Sequence, residues 1–225
     1  MKRALALGVL CLLLIACAGT PRRAARSPEA QAASNAGTGS VDGYVNAIMA
    51  ASERSDHEPD AKARADLAAQ ANNNADACLA LDSQAAGCQY GKAVATGLEA
   101  KVHPARAVGL LSGMLQHLEN AEASDPNYDK AGPARVRALV LIRAPSWPVG
   151  PGDTEAGLAA ARRAVALQPE YPPNVLALAE ALAKTGHEKS ARESYARARD
   201  LALAAPSGPD RDTWVREAND GLGSR

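Results

Sequence analysis

The chain is predicted to be all-α, a row of stacked antiparallel helix hairpins, and three observations carry that prediction. Apolar residues make up 47% of the 225 residues, yet phenylalanine is absent and aromatics reach only 3%. The apolar share is carried mainly by alanine and leucine, which favour helices, whereas strands favour β-branched and aromatic side chains. Apolar positions recur at three- and four-residue steps through most of the chain. Towards the C-terminus, small residues also recur at a spacing of 34, and small contact residues let neighbouring helices approach closely.

Taken in order, the first stretch, "MKRALALGVLCLLLIAC", pairs Lys2 and Arg3 with an apolar run of about a dozen residues. That length fits an export signal and is short for a membrane span. "LIAC", Leu14 to Cys17, resembles the lipobox of bacterial lipoproteins. The resemblance implies that residues 1–16 are a signal peptide, that Cys17 carries a diacylglycerol and that its new amine takes an acyl chain such as palmitate. Ala18 in place of aspartate favours the outer membrane. Residues 17–43 are small, polar and aperiodic, and bury too little apolar surface to offset the entropy of ordering, so they are read as a flexible tether. The folded domain is placed at 44–225.

With Cys11 lost in the signal and Cys17 lipidated, Cys78 and Cys88 remain. In an oxidising compartment they are expected either to form a disulfide across a corner near Asp82 and Ser83 or to stay as two buried thiols. No histidine stands at zinc-ligand spacing from either.

The body reads as successive helices. Tyr44, Val45, Ile48 and Met49 mark the first, and an alanine-rich second runs from near Pro59 to Leu81. Tyr90, Ala93, Val94, Gly97 and Leu98 form one stripe, followed by Ala107, Leu111, Met114, Leu115 and Leu118 after Pro104, a residue tolerated at helix starts. The triplet at Ala131–Pro133 opens a helix bearing Val136, Leu139, Val140 and Ile142, which Pro145 ends. Asp153 is placed to cap a helix from Thr154, with Glu155 suited to its first turn. Leu178, Ala179, Leu182, Gly186, Ala191, Tyr195 and Ala198 then stand at the spacing of a tetratricopeptide repeat. Stepping back 34 residues from Ala191, Tyr195 and Ala198 reaches Gly157, Ala161 and Ala164, and Pro169 falls where such a repeat closes. The best repeats are 132–169 and 173–205. Such units cannot bury their inner faces alone and must stack as an α-solenoid. A short helix from Asp210 to Asn219, anchored by Trp214 and stopped by Gly221, ends the chain.

One segment interrupts this order. "RAPSWPVGPGD", Arg143 to Asp153, holds three prolines, two glycines and one of the two tryptophans. It is longer than a repeat turn, and its prolines restrict the backbone, so an ordered loop is expected. Trp147, between Pro145 and Pro148, is expected to pack on a neighbouring hairpin or face a cavity, either as a plug between repeats or as a contact for a ligand or partner. Arg135 and Arg143 lie two turns apart and can share a helix face; caps or ion pairs to Asp153 or Glu180 are the alternative.

Chemistry-bearing patterns are sparse. Basic and acidic side chains balance at 25 each, without the basic footprint and stacking groups of a nucleic-acid binder. His57, His103, His117 and His187 have no metal-binding partner at helical spacing, and "KTG" at Lys184–Gly186 stands without the serine–lysine motif that would make it catalytic. The chain is read as a binding protein and not an enzyme, with no metal or cofactor.

The ordered pieces Asp125-Pro126, Tyr128, Gly132-Pro133-Ala134-Arg135, Ala144-Pro145, Trp147-Pro148, Gly150, Gly152-Asp153, Tyr171 and Asn174 resemble the T-component family of TRAP (tripartite ATP-independent periplasmic) transporters over residues 77–205. The resemblance implies a periplasm-facing lipoprotein of degenerate tetratricopeptide hairpins able to form a homotrimer. It further implies association with the transporter's periplasmic substrate-binding protein, and a cavity or pore that accepts a small hydrophobic ligand. Tyr128, Arg135, Arg143, Trp147, Pro148, Asp153 and Asn174 form the expected ligand or partner surface. The rival reading is a general tetratricopeptide scaffold lipoprotein that assembles envelope complexes and has no ligand site.

Overall fold

Residues 39–223 are described by a computed structural model of the chain; the expected signal at 1–16, Cys17 and the expected tether as far as residue 38 lie outside the described residues. Within 39–223 the α-helices are α1 (Val41–His57), α2 (Ala61–Leu81), α3 (Ala86–Val102), α4 (Ala107–Ser124), α5 (Tyr128–Arg143), α6 (Thr154–Leu167), α7 (Pro172–Lys184), α8 (Glu188–Ala204) and α9 (Pro209–Gly223), with a 3-10 turn at Pro104–Arg106 before α4. Each helix packs chiefly on its neighbours in sequence, while α1 also meets α3, and α5 also meets α7. The fold is therefore an all-helical stack of hairpins of the tetratricopeptide type. The described residues contain no strand; one isolated bridge joins Ser146 and Gly152.

Alanine sets how closely the stack closes. Ala71, Ala75, Ala93, Ala95, Ala134, Ala138, Ala161, Ala164, Ala179 and Ala198 are all fully buried, and methyl-sized contacts allow short interaxial distances. The repeat positions fall on this seam: Ala161 and Ala164 of α6 correspond to Tyr195 and Ala198 of α8, and Gly186 makes the α7–α8 turn with φ of +78°.

Helix starts follow their capping residues. Ser40 Oγ accepts a hydrogen bond from Gly43 N at 3.1 Å, with Asp42 in the first turn, so α1 begins at Val41, inside the segment 17–43 read from the sequence as a tether. Asp60 Oδ1 accepts from Ala63 N at 2.7 Å and starts α2 two residues beyond Pro59. Asp153 Oδ1 accepts from Ala156 N at 2.9 Å, the cap its sequence position predicts.

The last helix departs from expectation. Gly221 does not stop α9, which continues to Gly223. It lies against the ring of Tyr195, where an added Cβ would stand 2.4 Å from ring carbons. Its small size serves a close approach between α8 and α9, a long-range contact that local propensity does not encode. Trp214 is packed with Val175, Leu176 and Tyr195, and meets Tyr171 edge-on at 5.7 Å.

Two ends of the stack can be told apart by their contacts. At one end Ser124 Oγ donates to Gln84 O at 2.6 Å and Gln168 Nε2 donates to Asn127 Oδ1 at 3.1 Å. Val41, which opens α1, lies at this end beside the C-terminal turn of α2 and the start of α3. The opposite end gathers the C-termini of α1 and α3, joined by the Asp56–Lys101 ion pair at 2.9 Å, and the loop that follows α5. Cys78 and Cys88 are joined across the α2–α3 turn, their Cα atoms 5.3 Å apart and both residues fully buried.

On α4, His117 Nδ1 lies 2.7 Å from Gln89 Oε1. Burial, reinforced by the charge of Lys92, lowers the His117 pKa below its ordinary value of 6.5. A group whose folded pKa is depressed contributes stability above its unfolded pKa and loses it as pH falls through the folded value. Melting temperature is therefore expected to fall on acidification below pH 6.5, and His117→Gln to flatten that dependence; an unchanged pH profile in the variant would assign the loss to other groups.

Candidate functional site

Three of the predicted site residues meet around an unusual turn. Asp129, Lys130 and Ala131 have φ of 46°, 54° and 63°, a left-handed run that costs L-residues about 1–2 kcal/mol each. Such backbone persists only when its surroundings over-determine it. Here Tyr90 Oη and Arg135 Nη2 both donate to Asp129 Oδ2, at 3.0 and 2.9 Å. Arg135 Nη1 donates to Asn174 Oδ1 at 3.1 Å and to Lys130 O at 3.3 Å. Asn174 Nδ2 in turn reaches Lys130 O, Ala164 O and Gln168 O, at 3.1, 3.2 and 3.2 Å. The Tyr171 ring lies 4.7 Å from Lys130 Nζ and 5.2 Å from Arg135 Cζ, within cation–π range. Tyr128 packs edge-on to Tyr90 at 5.5 Å. Burial, helped by Asp129, pushes the Tyr90 hydroxyl far above its ordinary range, so it stays protonated and donates.

Arg135 and Asn174 thus spend their hydrogen-bonding capacity on the fold, and Tyr128 is a packing residue. The partner of Arg135 is Asp129, not Asp153 or Glu180. No sequence signal announced the turn, because none of residues 128–131 is glycine.

Arg143 has a different setting. Its Nε and Nη2 donate to the two carboxylate oxygens of Glu180 at 2.8 and 2.5 Å, a bidentate pair. That bonding pushes its pKa above the ordinary value. Arg135, Leu139 and Arg143 form one stripe on α5, and the stripe borders a hollow of about 520 Å³ shared with α7, α8 and α9; Glu180, Tyr195, Trp214 and Glu217 stand on its other walls. Leu139 and Arg143 also border a second hollow of about 450 Å³, lined by Ala100, Leu111, Met114, Val136, Val140 and Pro145. Leu139 and Arg143 line both, so the two hollows adjoin along α5 as a trough, apolar on the α3 side and mixed in polarity on the α9 side. Burial raises the pKa of Tyr195, which borders the trough.

The loop after α5 corrects one expectation. Trp147 neither plugs the stack nor faces a cavity: it is 86% exposed, and Val149 beyond Pro148 is 65% exposed. The loop is ordered as expected, but by its own backbone. Val149 N donates to Ser146 O at 3.1 Å, Gly152 N to Pro145 O at 2.8 Å, and Asp153 N to Leu141 O at 3.0 Å. Gly152 is obligatory in this packing, since a Cβ there would fall 2.2 Å from Ala144 O. These bonds close the loop on itself and on Leu141 of α5, and the indole is left outside. Pro148 follows it across a cis peptide, and Asp153 serves only as the cap of α6.

The predicted set therefore divides into a fold-building cluster (Tyr128, Arg135, Asn174), a trough residue (Arg143), an exposed tip (Trp147, Pro148) and a cap (Asp153). The trough residues missed at the sequence level are Leu139, Tyr195, Trp214 and Glu217. For Leu139 the signal was present: the four-residue steps Arg135–Leu139–Arg143 on α5 and Pro173–Ala177, then Glu180, on α7 mark the inner face of first helices in successive hairpins.

Such a trough can hold a ligand or a segment with an apolar part and a polar part. Among the described residues no group of histidine, cysteine, aspartate and glutamate is arranged to hold a metal, and no helix is long and apolar enough to cross a membrane. No protein-family model matches the chain, and no curated protein matches it.

Proposed function

We propose that the chain is a lipid-anchored T-component of a TRAP-type solute transport system, facing the periplasm from the outer membrane. It acts by binding, with the trough across α3, α5, α7 and α9 as its working surface. The observation that carries this reading is a pair of adjoining hollows, one apolar and one mixed in polarity, that share Leu139 and Arg143 in their linings. The lipobox-like Leu14–Cys17 and the ordered motif of residues 125–174 support it from the sequence. The Cys78–Cys88 juxtaposition supports it too, because disulfides persist in oxidising compartments such as the periplasm. The partner is the transporter's substrate-binding protein; a small hydrophobic ligand occupies the apolar half, and the chain assembles as a homotrimer.

The test uses the lipidated chain as bait in envelope extracts, with mass spectrometry of the captured proteins. Capture of a TRAP substrate-binding protein is expected. Ala100→Trp, which fills the apolar half, and Glu217→Arg, which reverses charge in the polar half, are each expected to weaken capture at least about tenfold, or 1.4 kcal/mol. Both sites are on helix surfaces, so the melting temperature should stay unchanged. Native mass spectrometry should show a trimer with bound ligand. An empty monomer that captures other envelope proteins with or without these substitutions would favour the general scaffold.

A further inference from the structure

Residues 144–152 contain no charged side chain and link α5 to α6 at the end of the stack remote from Val41. Their backbone bonds and the tight seat of Gly152 make a rigid tip, from which Trp147 and Val149 project into solvent. Most exposed tips in soluble proteins are polar; this one displays the largest side chain available on a hydrogen-bonded backbone.

We propose that the tip is a bilayer contact, with Trp147 and Val149 entering the interfacial layer of a phospholipid membrane. Tryptophan is enriched at that depth because its ring is apolar and its N–H is polar. An uncharged loop enters without the cost of desolvating an ion. Size also favours lipid over a protein partner. A stable protein interface buries on the order of 800 Å² on each side, which two projecting side chains do not supply, whereas a membrane needs only a supplementary contact beside an acyl anchor.

Reach is sufficient, a point that rests on the lipid-anchor reading. The 23 residues between Cys17 and Val41 span up to about 80 Å at roughly 3.5 Å per residue. The 17-residue α1 is about 25 Å long. A chain held at Cys17 can therefore lay the far end of its stack on the same bilayer. Two contacts, one covalent and one at the tip, would fix which way the trough faces.

The experiment reconstitutes the full chain into phosphatidylcholine vesicles with brominated acyl chains. Trp214→Phe leaves Trp147 as the sole indole, and Trp147→Phe leaves Trp214 as an internal control in case the first variant is destabilised. Trp147 emission is expected to move to shorter wavelength in vesicles and to be quenched by lipid bromine, most strongly by bromines nearest the headgroups. Trp214 should remain unquenched, and Val149→Asp should reduce the Trp147 response. Emission from Trp147 that is the same in vesicles as in buffer would overturn the proposal. So would a shift that requires added envelope proteins, which would make the tip a protein contact. The mass of the Cys17 peptide reports acylation separately: a quenched Trp147 on an unacylated chain would sink the anchor and keep the tip.

Discussion

Asn174→Ala is expected to cost about 2–4 kcal/mol of folding stability, read as a lower melting temperature and urea midpoint. The side chain is fully buried and connects three backbone carbonyls from three places in the chain with the guanidinium of Arg135. Alanine removes both amide protons and the acceptor for Arg135 Nη1, and leaves a small void among Lys130, Ala164 and Gln168. The loss is concentrated at the left-handed turn 129–131, whose carbonyl at Lys130 then depends on Arg135 alone. Arg135→Ala attacks the same network from the other side. The double variant should therefore lose less than the sum of the single losses, the signature of residues acting together. Strict additivity, or a loss under about 0.5 kcal/mol for Asn174→Ala, would mean that the turn is held by packing and not by these bonds.

Reducing the Cys78–Cys88 bond should cost about 3 kcal/mol, the loop-closure entropy of a cross-link closing a short loop, here with a sequence separation of 10. Both residues are fully buried, and free cysteine behaves as a small apolar side chain, so little native packing is lost on reduction. The effect should show as a fall in the urea midpoint on adding a reductant, and Cys78→Ala with Cys88→Ala should become insensitive to it. A midpoint that ignores reductant in the unsubstituted chain would mean that the two thiols are free.

The helices and their phase were legible because they rest on local rules. Proline and aspartate mark the start of α6, and the small residues at 157, 161, 164, 191 and 198 mark the shared seam. What escaped was set by distant contacts. Gly221 reads as a helix stop by type, but the ring it must clear belongs to Tyr195 on another helix. Asp129–Ala131 adopt a backbone that their types disfavour, because Tyr90, Arg135 and Asn174 converge on it from three helices. Trp147 was expected to pack on a hairpin or face a cavity, as a plug or as a contact for a ligand or partner; its loop closes on itself and leaves the indole outside. The trough fell between these cases. Its stripes were spaced as an inner face should be, but which residues across α7 and α9 would oppose Arg143 depended on how the hairpins turned relative to one another.

The alanine seam has a consequence for the breadth of the trough. Where hairpins abut through single methyl groups, the bend from one unit to the next is governed by the bulk of those groups, as the wedge angle of stones governs the radius of an arch. Enlarging Ala138 or Ala161 to valine would splay the units apart, so the width of the trough can be retuned from residues that do not line it.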